Sequence, residues 1–156
     1  MRIVLGIMWG EDDTIEIEIS SYVKEAGSWR STKRCVLKLI AKVHDLVGFL
    51  AGYVIKLTIF FQELCVAGLS WDKKLEEKFM IKWESIIRQF KEAQKVVIPR
   101  LYSSCDINDP TEKNERVGFS DASKKAYGCV VYFRITKRSG TIQVTFVTPK
   151  SNKEKW

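Results

Sequence analysis

The sequence predicts an α+β fold, with a short N-terminal β-hairpin, a central helical region and a C-terminal sheet of three antiparallel strands. Apolar and polar residues alternate strictly from Thr14 to Ile19, which is typical of a half-buried strand. Apolar residues recur at three- and four-residue steps from Val36 to Leu50, which is typical of an amphipathic helix. Three runs rich in β-branched and aromatic residues begin at Arg116, which predicts the sheet.

The charge is unevenly distributed along the 156 residues. The net charge is +7, but residues 1–27 are acidic, so the remainder holds 24 basic and 13 acidic residues. A basic body of this kind suits a polyanion such as nucleic acid. A solvated lysine-rich surface has the same composition, and charge alone leaves both interpretations open.

Cysteine and histidine usage argues against a zinc site. The sequence has one histidine, His44, and four cysteines without paired spacing, whereas zinc ligands come at short paired intervals. Scattered cysteines predict reduced thiols in an intracellular protein. The apolar run at the N-terminus is too short for a signal peptide. The cysteines are Cys35, Cys65, Cys105 and Cys129.

The most apolar segment, Leu46–Phe61, is the one candidate for a membrane span. Gly48 and Gly52 have the GxxxG spacing found in packed membrane helices, but Lys56 lies inside the segment. Its 16 residues fall short of the roughly 18–20 that a span needs. We therefore predict a buried helix and no membrane partner.

Three helices are predicted in the centre of the chain. The first follows the polar segment Ser28–Thr32, which can cap a helix. The second runs from about Tyr53 to Ala67 and ends at Gly68, and the third runs from about Lys73 to Phe90. The apolar face of the third helix is predicted to be core and consists of Leu75, Phe79, Trp83, Ile86, Ile87 and Phe90.

Extended structure is predicted beyond the helices. Pro99 prevents the segment Val96–Leu101 from continuing a helix, and a polar loop follows it. Ser139-Gly140 forms a hairpin turn between the last two strands. With three strands and no covering helix, the sheet is expected to leave an exposed apolar face and an open edge. The predicted strands are Arg116–Ser120, Tyr127–Ile135 and Thr141–Val147.

These elements divide the chain into four parts. We predict a hairpin unit in residues 1–27, a helical unit in 28–102, a linker in 103–115 and the C-terminal sheet in 116–156.

Asp121 directly follows the first predicted strand of that sheet, and four interpretations are open. It could form a turn, since Asp and Ser after a strand are common turn residues. It could be an aspartic peptidase residue, but Ala122-Ser123 does not match the required Thr/Ser-Gly. It could be a ligand of a two-metal nuclease, which holds its ions with several carboxylates. It could also be incidental in a basic nucleic-acid-binding module.

Five segments form an ordered set of motifs along the chain: VLGIMW (4–9), STKRCVLKLIAKVHDLVGFL (31–50), QELCVAGLSWDKKL (62–75), VIPR (97–100) and GFSDASKKAYGCVVYFR (118–134). Taken in this order, they resemble the Bel/Pao class of long-terminal-repeat retrotransposon polyproteins, in the region from the end of reverse transcriptase to the start of ribonuclease H. Two positions depart from the family pattern. The family's D-P-L-G turn lacks its proline at Leu46, and the tryptophan after Q-E-L is Cys65. Without the proline, we expect the first helix to run on toward the second.

The resemblance implies that the C-terminal sheet is the first half of a ribonuclease H fold. Asp121 then occupies the first of four Mg²⁺-binding carboxylate positions, and the parent family also has RNA-directed DNA polymerase and aspartic peptidase activities. Glu154 lies nearby without helical context, and we do not assign it to the site. Asp12 and Asp13 are interpreted as a solvated turn, because Gly10 stands where polymerases have an aromatic residue. We therefore predict no nuclease activity and no bound metal in this chain alone.

The helical region resembles a polymerase thumb and connection, which rest on duplex phosphates. We expect weak, nonspecific and salt-sensitive binding, with the rest of the Pol polyprotein as a second partner. The alternatives are a nonenzymatic basic interaction protein and a degenerate reading frame. The candidate phosphate contacts are Lys33, Arg34, Lys38, Lys42, Lys74, Lys78 and Lys82.

Overall fold

The structure is a computed structural model that describes residues 2–4, 7–43, 45, 48–92, 95–102 and 108–153. These residues form an α+β fold with four helices and two antiparallel sheets. The first sheet combines three strands that precede the helices with one that follows them, and the second sheet is formed by the last three strands. The helices are α1 (Ser20–Ser28), α2 (Lys33–Lys42), α3 (Ala51–Val66) and α4 (Glu77–Glu92). The strands are β1 (Arg2–Val4), β2 (Ile7–Trp9), β3 (Thr14–Glu18), β4 (Lys95–Pro99), β5 (Thr111–Ala122), β6 (Ala126–Lys137) and β7 (Ile142–Lys153).

The first sheet has the strand order β1-β2-β3-β4. Its β2–β3 pair confirms the predicted hairpin, with Ile7 opposite Ile17. The extended segment after the helices returns as β4 and pairs with β3, placing Val96 opposite Ile17. The sequence did not predict this pairing, which joins residues on both sides of the helical region.

Asp13 corrects the interpretation of the β2–β3 turn as merely solvated. The residue has a positive φ of 54°, which Asp tolerates better than most residues. Its carboxylate forms an ion pair with Arg100, with Nε and Oδ1 2.6 Å apart. The turn is therefore tied to the end of β4.

The helix α1 was not predicted. It begins directly after β3, and it buries Val23 and Ala26 almost completely. These two residues are three positions apart and so lie on one helix face. The remaining residues of the helix are mostly polar or small, and the apolar pattern is too short to stand out in the sequence.

The first predicted helix does not run on into the second. α2 is capped by Thr32, whose hydroxyl accepts a hydrogen bond from the Cys35 N–H, and it ends at Lys42 with Val43 extended. The turn forms without proline because Asp45 Oδ2 accepts from the Leu50 N–H at 2.8 Å and Gly48 adopts a φ of 86°. The two residues between Asp45 and Gly48 lie outside the described residues.

The main core lies among the helices and β3. The predicted apolar face of α4 is confirmed as core, although the helix begins at Glu77 rather than Lys73. Phe60 of α3 stacks on Trp83 of α4, with ring centroids 6.3 Å apart. Within the described part of the chain, no helix has the length and apolar character needed to cross a membrane.

The second sheet has the strand order β5-β6-β7, as predicted. Gly140 has a φ of 86° in the predicted hairpin turn. Each strand is 12 residues long, which is longer than predicted. β5 begins at Thr111 and β7 continues to Lys153, so polar residues assigned to the linker and tail are strand.

The start of α3 and the residues just before it cover part of one face of this sheet. The rings of Phe49 and Phe146 lie 4.6 Å apart, and Ser151 Oγ donates to the Ala51 carbonyl at 3.3 Å. Elsewhere the expected exposed apolar surface is present, since Phe119 and Val144 are 60% and 62% exposed. β5 and β7 are the two edge strands.

Candidate functional site

Asp121 lies near the end of β5, in a row that crosses the second sheet. It is opposite Gly128 of β6, and Gly128 is opposite Ser151 of β7. Residues directly opposite each other in antiparallel strands project to the same face. Gly128 places no side chain between Asp121 and Ser151 on this face, where a Cβ would lie 3.9 Å from the Ser151 Cβ.

Ser123, rather than Asp121, builds the turn between β5 and β6. The Ser123 hydroxyl donates to the Ala126 carbonyl at 3.0 Å and accepts from the Ala126 N–H at 3.3 Å. Asp121 Oδ1 accepts only from the adjacent Ala122 N–H, at 2.9 Å, among the contacts of the described residues. The carboxylate is exposed and therefore remains available to a ligand.

Asp121 lines an open groove of about 450 Å³ between the start of α3 and the end of the second sheet. Ala51, Gly52 and Ile55 form the helical side of the groove. The sheet side is largely apolar and includes Phe119, Tyr127, Cys129, Pro149 and Ser151.

Positive charge lies at one end of this groove. Lys124 and Lys125 follow Asp121 in the exposed turn. Lys150 of β7 is also exposed, but it is opposite Cys129, so its side chain projects to the other face of the sheet from Asp121 and Ser151. Asp121 supplies the carboxylate of the groove lining. The two turn lysines outweigh this one carboxylate and attract polyanions to this end of the sheet.

The described residues do not fit the Mg²⁺ site that the resemblance implies. Ribonuclease H-like domains generally use Mg²⁺, and two-metal cleavage requires several carboxylates around the ions. Within the described ranges, no three His, Cys, Asp or Glu side chains come together in a group that could hold a metal ion. Asp121 therefore belongs to no such group among the described residues. Glu154 lies outside the described residues.

Lys33 and Arg34 at the start of α2 contact the loop before α4. The Lys33 side chain is buried, with 9% of the residue exposed, and its ammonium lies 4.5 Å from the centroid of the Trp71 ring. Arg34 donates two hydrogen bonds to Asp72, at 2.7 and 2.9 Å. These bonds lower the pKa of the Asp72 carboxyl. Two segments that carried the family resemblance therefore meet in space.

Lys38 and Lys42 form a second group on the next turns of α2. Their ammonium groups lie 4.1 and 5.5 Å from the centroid of the Trp29 ring. Both pair with Glu25, Lys38 at 3.6 Å and Lys42 more closely. The hydrogen bond from Lys42 is the main cause that lowers the pKa of Glu25.

Lys74, Lys78 and Lys82 lie around the start of α4. Lys82 pairs with Glu63 at 2.7 Å, and Lys78 lies 3.9 Å from Glu76. Lys74 is exposed. The seven predicted phosphate contacts therefore form three groups, and ion pairs within the chain occupy several of them.

The predicted site omitted the lysines around the groove. The pair Lys124-Lys125 is visible in the sequence beside Asp121, but it looks like an ordinary solvated turn. Lys150 and the α3 side of the groove could not be assigned, because only the fold brings residues 51–55 beside the end of β5.

Comparison with known proteins identifies the family. A sequence model of the Pao retrotransposon-like RNaseH-like domain matches residues 32–154, which is more than three quarters of the chain. A search of curated proteins found no match. The matched residues include α2, α3, α4 and the whole sheet that carries Asp121. The chain belongs to the family of Pao retrotransposon-like RNaseH-like domains.

Proposed function

We propose that the chain is a fragment of a retrotransposon Pol polyprotein that binds RNA–DNA hybrid or duplex nucleic acid without sequence preference and does not cleave it alone. The observation that carries this proposal is the group of exposed lysines at the end of the sheet that holds Asp121, namely Lys124, Lys125 and Lys150. They lie in the sheet of an RNaseH-like domain, beside an open groove.

These three lysines suit phosphate binding because they form no ion pair with the described residues. A lysine already paired with a carboxylate must lose that partner, or share it, when a phosphate approaches. A free lysine instead exchanges only water and counterions. Such contacts bind the backbone of any sequence and weaken as salt rises.

The helical lysines supply a second, weaker surface in this proposal. Lys74 and Lys78 are well exposed, and the ion pair of Lys78 with Glu76 is long, at 3.9 Å. Lys38, Lys42 and Lys82 contribute less, because each has a carboxylate partner in the chain. Lys33 and Arg34 serve mainly to hold α2 against the Trp71 loop.

The absence of cleavage follows from the number of carboxylates. A two-metal site needs several acidic ligands that hold both ions between the attacking and leaving oxygens. Asp121 is one carboxylate, and the positive charge of Lys124 and Lys125 in the adjoining turn disfavours a divalent cation. The remaining ligands would come from another part of the parent polyprotein, which we propose as the second partner.

The cysteines are consistent with an intracellular setting for this fragment. Cys35, Cys65 and Cys129 are free thiols, and disulfides are rare in reducing compartments.

Binding can be tested by fluorescence anisotropy with a labelled RNA–DNA hybrid over a salt series. Replacing Lys124, Lys125 and Lys150 together by Gln should weaken binding at low salt. It should also reduce the salt slope by about 0.9 for each lost phosphate contact. A charge-matched control replaces Lys24, Arg88 and Lys91 by Gln and should change the slope little. Equal effects of the two triple variants would contradict a site at the groove.

Two further measurements complete the test. Replacing Lys74, Lys78 and Lys82 by Gln measures the second surface and should have the smaller effect. Incubation of the hybrid with Mg²⁺ should yield no product. Cleavage that is lost in Asp121→Asn would contradict the proposed inactivity.

A further inference from the structure

We infer that the groove beside Asp121 holds an unpaired base of single-stranded nucleic acid, stacked on Phe119. The chain then binds a duplex that carries a single-stranded overhang more tightly than a blunt duplex. This inference rests on the proposed nucleic-acid binding and names the part of the ligand that enters the groove.

The first observation is the exposure of an aromatic ring at the groove. Phe119 is 60% exposed and lines the groove, on the same face of β5 as Asp121 two residues further on. Phe119 contacts Tyr132 edge to face, with ring centroids 6.1 Å apart and planes at 74°. This contact restricts the Phe119 ring but leaves most of its surface to solvent. Exposed aromatic rings beside a basic surface are the usual platform for unpaired bases.

The second observation is the size and lining of the groove. About 450 Å³ is within the range of small-ligand sites and is large enough for one nucleotide. Gly52 contributes no side chain, and a Cβ placed there would meet nothing within 4 Å. Ile55 and Pro149 supply apolar walls. A flat, largely apolar ring therefore fits the groove better than a hydrated phosphate.

The third observation is the arrangement of charge. The Asp121 carboxylate lines the groove and repels a phosphate, but it accepts hydrogen bonds from the amino and imino groups of bases. Lys124 and Lys125 follow Asp121 in the adjoining turn, and exposed Lys150 projects from the other face of the sheet near the same end. The base is thus directed toward Asp121 and Phe119, while the phosphates are directed toward the lysines.

A base inside a duplex cannot occupy this groove. Its faces are covered by neighbouring base pairs, so only an unpaired nucleotide can place a face on Phe119. The lysines, in contrast, can contact the phosphates of paired and unpaired segments alike. The groove and the lysines therefore have separable roles, and they can be tested separately.

The test compares two labelled RNA–DNA hybrids, one blunt and one extended by a short single-stranded overhang. The wild-type chain should bind the overhang hybrid about tenfold more tightly, which is the size expected for stacking one base on an aromatic ring. Phe119→Ala should remove this preference, and Phe119→Trp should retain it. Val144→Ala is the matched control, because Val144 is an exposed apolar residue of the same sheet outside the groove lining.

Fluorescence of 2-aminopurine in the overhang provides a second readout. Stacking on Phe119 should quench it, and Phe119→Ala should abolish the quenching. Circular dichroism of each variant checks that the fold is retained. Equal binding of both hybrids by the wild type overturns the inference but leaves the proposed duplex binding intact. An overhang preference that persists in Phe119→Ala also overturns it. If neither hybrid binds, the proposed function itself fails.

Discussion

Asp13 and Arg100 are 87 residues apart in the sequence and form a two-point ion pair, with N···O distances of 2.6 and 2.8 Å. The Arg100 N–H also donates to the Asp13 carbonyl at 3.1 Å. The Trp9 indole donates to Asp13 Oδ1 at 3.0 Å, and the Arg100 guanidinium lies 5.1 Å from the centroid of the Trp9 ring. These three side chains fasten the β2–β3 turn to the end of β4.

Arg100→Gln should raise the pKa of Asp13 toward its ordinary value of 3.8. In the wild type, the hydrogen bonds from Arg100 lower this pKa. A carboxyl with a lowered folded-state pKa stabilises the fold above its unfolded-state pKa, and the contribution disappears as pH falls through the folded-state value. NMR titration of the Asp13 carboxyl measures the shift. Arg34→Gln is the control and should leave Asp13 unchanged, whereas identical Asp13 titrations in wild type and Arg100→Gln would contradict the prediction.

Asp45 should show the opposite pH dependence. Burial raises the pKa of its carboxyl above 3.8, against the opposing effect of backbone N–H groups such as that of Leu50. Its Oδ1 atom is buried with no hydrogen-bond partner among the described residues. A raised folded-state pKa gives stability below the unfolded-state pKa that is lost as pH rises through the folded-state value.

Two substitutions separate the charge of Asp45 from its hydrogen bond with the Leu50 N–H. Asp45→Asn keeps an acceptor for the Leu50 N–H and should remove the pH dependence in the region above pH 3.8. Asp45→Ala removes the acceptor and should lower the free energy of unfolding by about 1 kcal/mol. Urea unfolding at acidic and neutral pH measures both effects. If the free energy of unfolding depends on pH in Asp45→Asn as it does in the wild type, burial of the Asp45 charge is not the cause of that dependence.

Gly48→Ala should destabilise the chain by about 2 kcal/mol or more. The left-handed φ of 86° at Gly48 strains a residue with a side chain. The new Cβ would also approach Pro149 Cγ to 2.8 Å, which would separate the α3 turn from β7. Gly52→Ala is the matched control, since its Cβ meets nothing within 4 Å. It should stabilise α3 by roughly 0.5–1 kcal/mol, and similar losses at both positions in thermal unfolding would refute this account.

Lys33→Ala should reduce stability more than nucleic-acid affinity. The ammonium of Lys33 lies over Trp71 in a largely buried position, and such a contact contributes about 1 kcal/mol. Lys74→Ala is the control, because Lys74 is exposed in the same loop region. Unfolding and hybrid binding are measured on both variants. A loss of binding in Lys33→Ala with unchanged stability would instead make Lys33 a phosphate contact.

Local patterns predicted the elements whose side chains alternate between core and solvent. The sequence shows the apolar stripe of α4 and the alternation of apolar and polar residues in β3, and the structure confirms both elements. The early part of β5 was missed because an exposed edge strand has no buried face to impose alternation. Thr111–Glu115 is polar for this reason, although it pairs with the end of β6.

Pairings between distant segments left no local signal. The partner of β3 is β4, and the partner of Asp13 is Arg100. The family resemblance indicated Asp121 as a carboxylate position, but it did not indicate which residues lie near Asp121 in the fold. Phe119 and the start of α3 line the same groove only in the folded chain, so the sequence alone does not connect them.

Because β3 pairs with β4, the part of the chain that folds as one unit is longer than the part that matches the family. The family match begins at residue 32, yet Ile17, Ile19 and Val23 are at most 2% exposed and belong to the same core cluster as the matched helices. A chain trimmed to residue 32 would keep the family signature, lose β3 and expose the core that those residues cover. The remaining helices would then lose packing partners in their core. For this reason the domain should be produced with its first 31 residues attached.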